Sequence, residues 1–91
     1  MNLYDIAEKY ENLKKRLKKH YELQITDNKE IIIDGCREVI VYDDNYIKLQ
    51  LNCGGVEIFG MNFSMRNFSD DGVVIKGIIF SINLLREGDI K

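Results

Sequence analysis

Among its 91 residues the sequence has no proline, no tryptophan, one histidine and two cysteines. Each shortage excludes something. His20, Cys36 and Cys53 are too few for a four-ligand zinc site, and the cysteines lack CxxC spacing. Long apolar runs are missing too: Ile31 to Ile33, Val39 to Tyr42 and Ile78 to Phe80 span three or four residues each, against the ~20 that cross a bilayer. Residues 1–23 hold no secretory apolar core or small-residue cleavage site, so a cytoplasmic chain with free thiols is expected. The lack of proline also leaves any strand edge unblunted, which opens homo-oligomerisation through sheet edges.

What remains is 45% hydrophobic and 31% charged. A chain of this length buries roughly 60–65% of its unfolded surface, enough for one modest core and no second lobe to close over a substrate. The net charge of -2 is unevenly spread. Lys14, Lys15, Arg16, Lys18 and Lys19 crowd one short stretch, whereas the remainder is acidic.

Leu3, Ile6, Tyr10, Leu13 and Leu17 recur at intervals of three and four, with Ala7 and Tyr21 extending the stripe. That spacing predicts an amphipathic basic helix within residues 1–21, with Asn2 as N-cap. Its stripe suits packing on a sheet, a partner helix or a membrane surface.

From Leu23 the period changes to two, predicting an antiparallel β domain over 22–86 and a tail over 87–91. Asp27-Asn28, Asp43-Asp44-Asn45, Gly54-Gly55 and Asp70-Asp71-Gly72 punctuate it as turns. Strands are expected near 22–26, 30–34, 37–42, 46–53, 55–66 and 73–85, with 37–42 central because it is apolar on both sides.

Two strands break parity. Val56 and Ile58 give way to Met61, Phe63 and Met65, and Val73 and Ile75 to Ile78, Phe80, Ile82 and Leu84. Gly60 and Gly77 stand at the switches and predict bends, as Gly35 does at a turn. VEIFGMNFSM (56–65) and VVIKGIIFSI (73–82) share five identities. The fold class expected is therefore mainly β with one N-terminal helix: a small antiparallel β-sandwich or open barrel with bent strands, or alternatively a short β-roll.

Groups for chemistry are few. His20 follows the basic stretch and reads as a surface residue. Cys53 continues the alternation of strand 46–53 and is expected in the core, while Cys36 lacks an activating base. The pairs Asp43-Asp44 and Asp70-Asp71 belong to turns, and DDG offers too few oxygens for calcium. There is no glycine-rich phosphate loop, and the acidic sheet does not suit nucleic acid. No catalytic, metal or cofactor-binding residue, and no small-molecule substrate, is expected.

Gly54 to Phe68 reads G-x-V-x-I-x-G-x-x-F-x-M-x-x-F, and Gly72 to Ile82 reads G-V-V-I-K-G-I-I-F-S-I. These segments resemble the YabP/YqfC family of sporulation proteins, which carry G-x-L-x-I-x-G-x-x-L-x-I-x-x-L followed by G-x-x-I-x-G-x-I. The likeness covers about residues 22–84, with Phe63, Met65 and Phe68 in place of aliphatic residues. It implies a non-enzymatic structural or adaptor protein for spore development or envelope assembly in the mother cell. The short chain and basic N-terminus resemble the YqfC branch more closely, which implies a membrane-associated sporulation partner of the YqfD type. Lys14, Lys15, Arg16, Lys18 and Lys19 would then serve partner or membrane docking, peripheral at the forespore membrane. A peripheral membrane-surface module built on this helix is the alternative function.

Overall fold

The computed structural model describes residues 20–90. Six strands follow one another: β1 (Glu22–Thr26), β2 (Glu30–Asp34), β3 (Cys36–Tyr42), β4 (Tyr46–Leu51), β5 (Gly55–Asn67) and β6 (Gly72–Leu85), before a short 3-10 turn at Glu87–Asp89. The helix expected within 1–21, with its five bases Lys14 to Lys19, lies outside the described residues except at its end. There His20 and Tyr21 are not helical, and Tyr21 packs against the core.

All six strands join one antiparallel sheet in the order β1-β2-β6-β5-β4-β3. This corrects the expected sandwich, barrel or roll. Two sheets would require β5 and β6 to part at their bends, but they pair from Gly55↔Leu85 to Asn67↔Val73. A barrel would join β1 to β3, which instead end the order. A roll would stack its repeats in parallel; here 56–65 and 73–82 lie on two adjacent antiparallel strands.

The long strands give the sheet two arms. In the first, β1 and β2 pair with the start of β6; in the second, β3 and β4 pair with the start of β5. Alternation then aligns apolar rows across each arm. Ile25, Ile31, Ile75 and Met65 form one row, and Val39, Leu49, Val56 and Leu84 another. Burial is concentrated in the middle of the rows: Ile31, Ile75, Leu49 and Val56 are fully buried, and both arms feed one core cluster. Each such side chain contributes about 1.5–3 kcal/mol relative to exposure.

At the join, the β5–β6 register shifts twice, between Phe59 and Gly60 and between Met61 and Ser64. The hairpin turns brace this irregular backbone. Asn45 and Asp44 carbonyls, at the β3–β4 turn, accept hydrogen bonds from the Gly60 and Phe63 amides, both at 3.1 Å. Lys29 and Asn28, at the β1–β2 turn, do the same for Gly77 (3.1 Å) and Ile79 (2.8 Å). Amides freed from the ladder by a bulge thus find partners.

The bracing is nearly two-fold symmetric, as the sequence echo would suggest, but Phe63 lies three positions after Gly60 whereas Ile79 lies two after Gly77. The extra residue on β5 is Asn62, in the left-handed region at φ 58. Strand β6 has its own extra residue, Phe80, which falls between Ser81 opposite Phe59 and Ile79 opposite Gly60 and has no partner on β5. Phe63 is buried on β5, while on β6 Ile79 is buried and Phe80, the echo of Phe63, is 64% exposed. The expected inward alternation of Ile78, Phe80, Ile82 and Leu84 fails in two ways: the extra residue puts Ile78 and Phe80 out of phase with Ile82, which is partly buried opposite Ile58, while Leu84 shares the row of buried Val56 and is exposed at its end.

Candidate interaction surface

The three candidate glycines sit at backbone crossings. Gly35 has φ 98 and is the single residue between β2 and β3, where the chain passes from one arm to the other. A Cβ there would lie 2.7 Å from the His20 carbonyl oxygen. Gly77 has φ 152, and its Cβ would meet the Phe63 ring and the Met61 and Asn62 carbonyls. Gly60 is different. Its φ is not positive; close approach excludes a side chain, since a Cβ would collide with the Ile78 carbonyl and the Phe63 ring. The five bases Lys14, Lys15, Arg16, Lys18 and Lys19 lie outside the described residues.

Two of the turn aspartates, Asp43 and Asp71, are tied into the turns they belong to. The Asp43 carboxylate accepts from the Asn45 and Tyr46 amides at 2.9 Å, an Asx turn. The Asp71 carbonyl accepts from the Gly35 and Cys36 amides, tying the β5–β6 tip to the β2–β3 corner. On the outer face of the second arm, Tyr46 donates to Glu57 at 2.5 Å and Asn83 donates to the same carboxylate at 2.9 Å. Those bonds hold the Glu57 carboxyl below its ordinary range, the Tyr46 bond most of all, and the bond to Glu57 pushes the Tyr46 hydroxyl up to about 12. The cysteines exchange their expected places. Strand β4 ends at Leu51, so Cys53 falls in the turn and is exposed, whereas Cys36 opens β3 and is buried. Burial pushes the Cys36 thiol up.

The apolar surface is what sets this sheet apart. Strand β3 was expected at the centre but lies at the edge, because the order ends with it. Its run Val39, Ile40, Val41 and Tyr42 is therefore 36–47% exposed. Each apolar row continues past the buried middle: Ile25 is 50% exposed at one end of the first arm, and Val39 and Leu84 are exposed at opposite ends of the second. Further large side chains, Phe59, Met61, Phe68, Ile78 and Phe80, are also open to solvent. Sequence alternation could identify the rows but not their uncovered ends. Contiguous apolar surface beyond scattered single residues marks a contact site. The grooves on this surface are shallow; one, on the first arm, is lined by Ser64, Met65, Arg66, Val74 and Lys76.

Fold and surface together define a small β domain, one bent sheet that offers strand edges and the ends of apolar rows. The YabP family model matches residues 17–91, and the chain belongs to the YabP family. That membership points to a role in sporulation. Comparisons with curated proteins and with solved structures found no match.

Proposed function

We propose that the protein serves sporulation as a non-enzymatic contact domain, structural or adaptor, in spore development or envelope assembly within the mother cell. The observation that supports this most is the run of apolar rows onto exposed Val39, Tyr42 and Leu84, while the Asp43 and Asp71 carboxylates accept hydrogen bonds within their own turns. Such a surface suits a protein partner better than a small substrate, which calls for a concave site with convergent polar groups. The partner is a membrane-associated sporulation protein of the YqfD type. The cluster Lys14 to Lys19 supports this choice, because each base near an anionic leaflet contributes ~1 kcal/mol.

Deleting the gene in a spore-forming host is expected to leave vegetative growth normal and to block spore maturation, with full rescue by the wild-type chain. Normal spores from the deletion strain would overturn the proposal. If replacing Lys14, Lys15, Arg16, Lys18 and Lys19 by Gln leaves both spore yield and membrane recruitment unchanged, the membrane-associated partner is excluded.

A further inference from the structure

Four stretches of strand edge are open among the described residues, and three of them are guarded against pairing. Strand β1 is five residues long and carries Glu22. Strand β3 is interrupted by two register shifts and carries Arg37 and Glu38. The second half of β5 contains the left-handed Asn62 and the charged Arg66. Short length, bulges and charge are the devices by which sheets avoid joining edge to edge.

The fourth edge carries only one of them, the register shift that leaves Phe80 without a partner on β5; from Ser81 to Leu85 it carries none. Pairing of β2 with β6 stops at Glu30↔Lys76, so beyond Ile79, whose amide is bonded to Asn28, β6 is paired only with β5. From Gly77 to Leu85 there is no charged residue and no proline. Its register against β5 is regular from Ser81 to Leu85. Phe80 and Leu84, on either side of Ile82, are 64% and 58% exposed.

We infer that residues 80–84 of β6 pair antiparallel with the same residues of a second copy of this chain. A two-fold axis at Ile82 sets Phe80 opposite Leu84 of the other copy and Ser81 opposite Asn83, so apolar meets apolar and polar meets polar. No charge is placed across the junction. The second arms of two copies become one continuous eight-stranded layer, β3-β4-β5-β6 meeting its own image. At the exposures above, Phe80 and Leu84 each leave about 100 Å² of side chain in water. Four such side chains and two strand edges bury on the order of 800 Å², the size of a weak, concentration-dependent dimer. This deepens the reading of the protein as a contact domain by naming one of its partners, and the two fail separately: spore phenotype tests the role, solution mass tests the pairing.

Sedimentation equilibrium of the full-length chain over micromolar to millimolar concentrations is expected to show a monomer–dimer equilibrium. Phe80→Lys and Leu84→Lys, at exposed positions that folding tolerates, are expected to weaken association by about tenfold or more through like-charge and desolvation penalties. Far-UV circular dichroism confirms that both remain folded. In a Cys53→Ser background, Ile82→Cys is expected to form a disulfide-linked dimer on mild oxidation, while Val39→Cys does not. A chain that stays monomeric throughout, association unaffected by both lysine variants, or cross-linking through Val39→Cys in place of Ile82→Cys would each overturn the pairing.

Discussion

The ring of Phe63 lies against Gly77 so closely that a Cβ on the glycine would come within 2.8 Å of its Cδ1 atom. The same ring approaches Gly60, where an added Cβ would lie 2.6 Å from Cζ. One buried aromatic thus fills the space that two absent side chains leave, at the place where both long strands change register.

Gly60→Ala and Gly77→Ala should therefore each destabilise the fold by about 2–4 kcal/mol, through overpacking at Gly60 and through overpacking plus backbone strain at Gly77. Gly88, with nothing within 4 Å of an added Cβ, is the matched control. Gly88→Ala should stay within about 0.5 kcal/mol of wild type. Urea denaturation of the three variants measures this, and equal midpoints would contradict the close-packed bend.

Position along a row should set the cost of truncation. Ile58 is fully buried, and Ile58→Ala should cost about 2–5 kcal/mol. Val39 shares its row with buried Leu49 but is 41% exposed at the edge. Val39→Ala should cost less than about 1 kcal/mol, because little area returns to water. Comparable losses at the two sites would show that β3 is covered.

The two thiols should react at different rates. Cys53 is exposed, whereas Cys36 is buried with its thiol pushed up by that burial. Since the thiolate is the reactive form, a thiol reagent should modify Cys53 promptly and Cys36 only after denaturation. Rapid modification of both in the folded chain would reverse the assignment.

The Tyr46–Glu57 bond should appear in the pH dependence. Glu57 titrates lower in the folded chain than in the unfolded one, so its stabilisation is present above the ordinary carboxyl range and is lost as pH falls through the folded value. Tyr46 is raised, so its stabilisation is present below about 10 and is lost as pH rises towards about 12. Glu57→Gln should bring the Tyr46 hydroxyl back towards its ordinary range. Tyrosinate absorbance, taken as the difference from Tyr46→Phe, reads this directly, and an unchanged Tyr46 titration in Glu57→Gln would dispose of the coupling.

Much of the strand plan was legible because it is local. Turn residues such as Asp27 and Asn28, both at positive φ in the structure, mark a tip in sequence as they do in space. The parity break at Gly60 was legible too, but its cause was not: the glycine is required by the Ile78 carbonyl, eighteen residues on in the chain. The expected place of Cys53 failed because alternation carries no signal for where a strand stops. The interaction surface was the least legible, since the apolar run Val39 to Tyr42 reads the same whether the strand is central or terminal.

Strand positions, turn sites and the family follow from residue order alone, since each depends on the residue types along a few positions of chain. That the strands form one open sheet, that β3 ends it and that Phe80 faces water while its echo Phe63 is buried are settled by long-range pairing. Those outcomes depend on which distant backbones pair and on one extra residue in each long strand, Asn62 on β5 and Phe80 on β6, and pairing across the sheet is a property of the whole chain that no local pattern encodes.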